Sequence, residues 1–333
     1  MDVTPQDIGL ARDRLRGHAD ITPLLENSEL NAIAGGRVLI KAENLQRTGS
    51  FKFRGAFNHL SQLTAEARGN GIVAWSSGNH AQGVAAAAEI LGIAATIVMP
   101  EDAPEIKTAN TRRLGAKIVA YDRYRENREA IARRIARDSG ASLVPSYDDA
   151  AIIAGQGTAG LEILEQTARR DIRLSQLLVC CSGGGLVSGI ATAFSNGSQD
   201  TAIYSVEPEA FDDTARSLAS GQREKNSTSA RSICDALQTP TPGALTFSIN
   251  RRYLAGGLSV SDDEVREAMR FAFNRLRLVV EPGGAVALAA VLHGRIDTAN
   301  RNTGIVISGG NVDPDFFAAV ISQRSDSPGG TSV

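Results

Sequence analysis

Short apolar runs alternate along this chain with longer Ala- and Leu-rich stretches of mixed polarity. The runs Val38–Lys41, Ile72–Trp75, Ala95–Met99, Lys117–Ala120, Leu177–Cys181, Ile203–Glu207 and Gly304–Ser308 predict strands. The stretches between them predict helices over 53–62, 79–91, 104–114, 126–138, 157–169, 185–195, 262–277, 283–294 and 314–322. Continuously apolar strands separated by helices imply parallel βαβ units with both sheet faces covered. The fold class expected is therefore α/β. No internal repeat of fixed period is present. The stretch 323–333, ending in SDSPGGTSV, has linker composition and predicts a disordered tail.

A length of 333 residues suggests about two domains. The charge balance, 35 Lys and Arg against 37 Asp and Glu, offers no attraction to nucleic acid or to an anionic membrane. Segment 123–137 carries six Arg, but Ile131 and Ile135 are spaced for a core-facing stripe. Glu129 lies four residues before Arg133, so the segment predicts a solvated helix face. It lacks the aromatic residues that stack on bases. No apolar run reaches the ~18 residues of a membrane span. Three cysteines, Cys180, Cys181 and Cys234, make neither a disulfide framework nor a zinc knuckle. They fit a reducing compartment. The charged N-terminus lacks an apolar signal core, so the expected address is the cytosol.

Ligands of open α/β sheets bind at the carboxyl ends of strands, and four strands here run into unusual polar loops. The first leads into Ser76-Ser77-Gly78-Asn79-His80 and the second into Ser182-Gly183-Gly184-Gly185. The third leads into the acidic run Glu207-Pro208-Glu209-Ala210-Phe211-Asp212-Asp213, and the fourth into Ser308-Gly309-Gly310-Asn311. Three glycines before a helix let backbone N–H groups converge on an anion such as phosphate. A tight strand–helix turn without a ligand is the alternative. The spacing fits neither the Walker loop nor GxGxxG. The Ser76–His80 turn suits a carboxylate, or else simple helix capping. Lys52, between Phe51 and Phe53, is either a desolvated amine able to attack a carbonyl or a lysine snorkelling to solvent.

The segments ENLQRTGSFKFRGA, SSGNHAQGVA, IAGQGTAGLE, SGGGLVSG, VEP and ISGGNVD occur in this order. Together they resemble the serine/threonine dehydratase and serine racemase family, over about residues 5–322. These are pyridoxal-phosphate enzymes of the tryptophan-synthase-β-like fold (fold type II), with two open parallel-type sheets and helices on both faces. The resemblance implies that Lys52 joins the cofactor aldehyde as a Schiff base and that Phe51 packs on the pyridine ring. It implies that Asn79 bonds the ring's phenolic oxygen. Ser182, Gly183, Gly184, Gly185 and Leu186 are then expected to cradle the phosphate, and Ser308 to meet the pyridine nitrogen. Ser76, Ser77, Asn79 and His80 would surround the substrate carboxylate.

The implied reaction is α,β-elimination. Lys52 removes the Cα proton, a β-hydroxyl leaves, and the released enamine hydrolyses to a 2-oxo acid and ammonia. A Ser at the pyridine nitrogen favours prompt elimination over transamination. Degradative relatives often carry Ala at the Ser77 position. In the racemase branch the matching Ser is a second acid/base facing the lysine, so a serine or aspartate racemase is the alternative function. Arg125 resembles a position at the active-site mouth, where a cation would favour 3-hydroxyaspartate over L-threonine or L-serine. Residues Glu207 and Asp213, with the Phe211 carbonyl, resemble a divalent-cation site of the racemase branch. Oxygen donors of that kind suit Mg²⁺ or Ca²⁺. An unmetallated acidic loop is the alternative. Ser182 stands where the family usually begins a run of four glycines, and Ala236 where many members have Gly. The expected domains are 1–65 plus 147–322, binding the cofactor, and 66–146, carrying the substrate loop. Family habit implies a homodimer.

Overall fold

The computed structural model describes residues 3–103, 105–196 and 200–322; the tail predicted for 323–333 lies outside the described residues. The chain begins with α1 (Pro5–Leu15), β1 (Leu24–Glu26), α2 (Ser28–Ala34) and β2 (Arg37–Ala42). Next come α3 (Lys52–Ser61), α4 (Ala65–Asn70), β3 (Ile72–Trp75), α5 (Asn79–Leu91) and β4 (Ala95–Pro100). They are followed by α6 (Glu105–Arg113), β5 (Lys117–Tyr121), α7 (Arg128–Ser139) and β6 (Ser142–Leu143). The second half holds α8 (Ala150–Ala168), β7 (Gln176–Cys180), α9 (Gly185–Phe194), β8 (Ala202–Pro208), α10 (Asp213–Ser220) and α11 (Ala244–Tyr253). It closes with β9 (Gly256–Val260), α12 (Asp262–Phe271), α13 (Pro282–Leu292), β10 (Asn302–Ile307) and α14 (Pro314–Ser322).

The strands form two sheets. A six-stranded sheet has the order β1-β2-β10-β7-β8-β9, and a four-stranded sheet the order β5-β4-β3-β6. Every pairing is parallel except β1 with β2. Successive residues Val38, Leu39 and Ile40 are all fully buried, so both faces of the larger sheet are covered. The fold is thus the α/β arrangement expected, with two mostly parallel sheets under helices.

Helix α13 is buried from Pro282 to Val291 because its sequence is apolar all round. Helix α8 packs on α9 and α3 through small residues. A Cβ on Gly157 would meet the Gly189 carbonyl at 2.7 Å, and one on Gly155 would meet the Gly55 Cα at 2.7 Å. These contacts explain why α8 begins at Ala150 rather than at 157. Gly155 and Gly157 weaken the local helical signal, but Asp149 caps the helix and close packing holds it.

Lys52 starts α3, and a buried charge network lies beneath it. Arg54 donates to both oxygens of Glu43, at 2.8 Å each, and to Glu162 at 2.6 and 2.9 Å. Lys41 Nζ meets the same Glu162 at 2.5 Å. One core lies on the larger sheet. A second gathers Phe53, Phe57 and Leu60 of α3 with Ile72, Ala74, Val84 and Ile97 of the smaller sheet's layer. The α3 segment therefore joins the two layers.

Candidate active site

Lys52 is set by a strained approach. Thr48 (φ 64°) and Gly49 (φ 72°) turn left-handed before it. Ser50 then bridges to Gly309, and the Phe51 N–H donates to the Ser308 carbonyl at 3.2 Å. This lashes the lysine to the end of β10. Its Nζ donates to the Ser146 carbonyl at 3.0 Å and lies 5.1 Å from the Phe51 ring centroid. Burial pulls the amine down to about 8, against a small upward pull from Cys180 and Glu281. The lysine is half-buried with its amine bonded inward to Ser146, an arrangement that suits the desolvated amine better than one reaching to solvent.

Ser308 is buried beside Cys180, with which its side chain is hydrogen-bonded. Burial pushes the Cys180 thiol up to about 11, so it stays protonated at neutral pH.

The turn from β3 to α5 brings Ser76, Ser77, Asn79 and His80 to the same region. No side chain caps α5, so the capping alternative for Ser77 and Asn79 does not apply. The helix's positive end is open to an anion. The Ser76 Oγ accepts the Gly78 N–H at 3.1 Å, which shapes the turn. Asn79 donates to Glu281 Oε1 at 2.5 Å and accepts from Asn311 at 2.7 Å. His80 pairs with the Val144 carbonyl at 3.1 Å. Burial, then the nearby Lys52 charge, pulls His80 down to about 3, so the ring is neutral and its Nε2 is a donor.

Loop Ser182–Gly185 opens α9, again with no capping side chain. Gly184 has φ +97°, which an L side chain rarely adopts, and a Cβ there would meet Thr246 and Asn250 at 2.9 Å. A Cβ on Gly183 would enter the Tyr147 ring. The Gly183 carbonyl accepts from Thr246 Oγ1 at 2.6 Å, and Ser182 Oγ pairs with Thr239 Oγ1 at 3.0 Å. Leu186 is buried in the first turn. A bare backbone loop at an uncapped helix start, covered by Tyr147 while Lys52 bonds the adjacent Ser146, fits a phosphate-bearing aldehyde cofactor.

The acidic loop is separate. Both Glu207 oxygens accept amides, from Thr214 at 3.2 Å and Ala215 at 2.9 Å. Asp213 Oδ1 accepts from Asn226 at 2.5 Å, while its buried Oδ2 has no partner. Burial, and for Glu207 the charge of Asp213, pushes Glu207 well above the usual carboxylate range. Burial also pushes Asp213 up, to about 6. Among the described residues no group of three or more His, Cys, Asp or Glu is arranged around a metal. The two carboxylates, with the orphaned oxygen and the carbonyl of buried Phe211, fit a hard cation completed by water.

Arg125 is not brought to the site. Its side chain is 87 % exposed and lies 3.6 Å from Asp122. Two residues escaped the sequence reading. Glu281 is 3 % exposed and locks Asn79. Its signal was an acid closing an apolar run just before Pro282. Tyr147 covers Gly183 and Gly185. Burial and Asp148 push its hydroxyl up, while Arg128 and Arg223 draw it down, so both arginines lie within electrostatic reach of this ring.

The model of the pyridoxal-phosphate dependent enzyme family matches residues 15–309. An L-threo-3-hydroxyaspartate ammonia-lyase of a Pseudomonas species is 47 % identical over 315 residues, 95 % of this chain and 97 % of that protein. A serine racemase of Schizosaccharomyces pombe is 41 % identical over 320 residues, 96 % of this chain and 98 % of that protein. Among solved structures, a threonine deaminase from T.th. has a TM-score of 0.87 at 43 % identity, covering 93 % of this chain and 99 % of that one.

Proposed function

The chain belongs to the family of pyridoxal-phosphate dependent enzymes, and from that premise we propose an ammonia-lyase acting on L-threo-3-hydroxyaspartate. The class is an enzyme eliminating from a β-hydroxy amino acid on a type II fold. The substrate within that class is our own reading. One observation carries the class: a half-buried amine pulled to about 8, lashed beside Ser308 and bonded to Ser146, whose neighbour Tyr147 lies on the bare glycine loop; the 47 % identical ammonia-lyase supports the substrate.

Bound pyridoxal phosphate supplies an electron sink for the pair released at Cα. Lys52 would hold its aldehyde, Phe51 its ring and Asn79 its phenolic oxygen. Ser182, Gly183, Gly184, Gly185 and the Leu186 backbone would hold its phosphate, and Ser308 its ring nitrogen. Lys52, partly neutral near pH 8, is the base for the Cα proton. The α5 start, with Ser76, Ser77, Asn79 and neutral His80, receives the substrate's α-carboxylate. The β-hydroxyl would leave as water, the Cα proton balancing it, and a second water would convert the resulting enamine to a 2-oxo acid and ammonia.

For the second carboxylate we favour Arg128, the first residue of α7, over Arg125. Arg128 is exposed but its charge reaches the Tyr147 ring, whereas Arg125 pairs with Asp122. Ser77 supports a second reading, a serine or aspartate racemase, in which its hydroxyl is the second acid/base. Glu207, Asp213 and the Phe211 carbonyl are assigned to Mg²⁺ or Ca²⁺.

We read residues 1–65 plus 147–322 as the cofactor domain and 66–146 as the substrate-loop domain; the four-stranded sheet within Ile72–Leu143 supports this division. We propose the homodimer that the family resemblance implies, with exposed Leu45 and Val279 as candidate apolar contacts. Three free, buried cysteines support a cytosolic address. No helix of the described residues is long and apolar enough to cross a membrane.

The test is kcat/KM for L-serine, L-threonine and both 3-hydroxyaspartate diastereomers, with chiral analysis of the remaining substrate. Preference for the threo diastereomer with unchanged chirality supports the lyase. Equal turnover of L-serine refutes the substrate, and inversion without ammonia supports the racemase.

A further inference from the structure

The acidic loop and the glycine loop are distinct, yet one side chain touches both of their supports. Asn226 Nδ2 donates to Asp213 Oδ1 at 2.5 Å and to the Thr239 carbonyl at 2.9 Å. Its own Oδ1 accepts from Arg216 at 2.7 Å, and its N–H donates to the Pro240 carbonyl at 2.9 Å. Asn226 is therefore held through both ends of its amide and through its backbone, with little freedom to swing. Thr239 Oγ1 in turn pairs at 3.0 Å with Ser182 Oγ, the first residue of the glycine loop. A glycine at 182 would have nothing to offer Thr239. Meanwhile Asp213, only 1 % exposed, keeps Oδ2 buried and unpartnered.

We propose that Asn226 is a positioning residue that couples divalent-cation binding at Glu207 and Asp213 to phosphate binding at the glycine loop. The inference rests on the reading of the glycine loop as the cofactor's seat. Glu207 and Asp213 meet at the start of α10, while the nearby Arg216 is bonded to Asp212 and Asn226. Two buried carboxylates so placed repel each other once both are anions. A divalent cation reverses that repulsion and seats Asp213. A seated, charged Asp213 accepts a strong charge-assisted bond from Asn226. The other hydrogen of the same amide fixes the Thr239 backbone, and the Thr239 hydroxyl then fixes Ser182. Coupling of this kind is reciprocal, so the cofactor must tighten the cation by the factor with which the cation tightens the cofactor.

Pyridoxal 5'-phosphate is titrated into the full-length apoprotein, followed by absorbance, in MgCl₂, in CaCl₂ and in EDTA. The wild type is expected to bind the cofactor about fivefold or more tightly with one of the cations. Calorimetric titration of that cation, with and without cofactor, is expected to give the same ratio. Asn226→Ala and Thr239→Val are each expected to shrink the ratio below about twofold. Thr239→Val exchanges only the hydroxyl for a methyl of similar size, so it decides the matter should Asn226→Ala fail to fold. Equal cofactor affinity in both cations and in EDTA overturns the coupling, as does an undiminished ratio in Thr239→Val. Absence of cofactor binding under every condition overturns the coupling together with the reading beneath it; binding without cation dependence overturns the coupling alone.

Discussion

Replacing Glu281 by Gln removes one buried negative charge while keeping the shape that holds Asn79. In the wild-type apoprotein Lys52 sits at about 8 rather than the usual 10.5, chiefly through burial. At pH 7 its neutral fraction is then about 300-fold greater than for a solvated lysine. Glu281 opposes this, since its charge draws the amine upward. Its removal must therefore lower the Lys52 midpoint. The bond from Asn79, 2.5 Å to a carboxylate, becomes a neutral one and loses about 1 kcal/mol. The assay is the rate at which apoprotein gains cofactor absorbance between pH 6 and 10. Only the neutral amine attacks the aldehyde, so the wild-type rate rises with pH to a plateau with a midpoint near 8. In Glu281→Gln the midpoint falls and the affinity drops about fivefold. A midpoint that stays put or rises refutes the electrostatic reasoning, and one near 10.5 in the wild type refutes the desolvation of Lys52.

Gly184→Ala forces a side chain into φ +97° and against Thr246 and Asn250, so cofactor affinity falls at least tenfold in an absorbance titration. Arg54→Ala strands the buried carboxylates of Glu43 and Glu162 and lowers unfolding stability by about 3–5 kcal/mol in urea melts. Arg128→Ala raises KM for L-threo-3-hydroxyaspartate about tenfold or more while sparing L-serine, and Arg125→Ala changes neither. Equal effects of the two arginine variants would remove the second-carboxylate role from Arg128.

The interior of the fold was legible because interior strands announce themselves. Strands β2, β3, β4, β7, β8 and β10 are apolar on both faces, and their predicted positions agree with the structure to within about two residues. The three strands that escaped notice, β1, β6 and β9, all lie at sheet edges, where one flank is unpaired and the pattern is short. Helix α7 behaves as its charge spacing implied, with Arg133 bonded to Glu129 at 2.6 Å on the surface. Helix α12 was expected to run to 277. It ends at Phe271 in a wide turn over 272–276, closed by Arg277 at φ 61°.

The candidate site can be read from the sequence where its chemistry sits in one short segment: Lys52, the Ser76–His80 turn and the glycine loop. It was not legible where distant segments converge. Glu281 reaches Asn79 across 202 positions, and Tyr147 covers a loop 36 residues away. Neither local period nor composition encodes such a meeting. The same holds for Arg54, whose partners Glu43 and Glu162 come from other elements.

Borohydride treatment of the cofactor-loaded protein, followed by peptide mass mapping, tests the central claim most directly. A pyridoxyl adduct on the peptide holding Lys52, and its loss in Lys52→Ala, is the result this account predicts. An adduct on another lysine, or none at all, would contradict it.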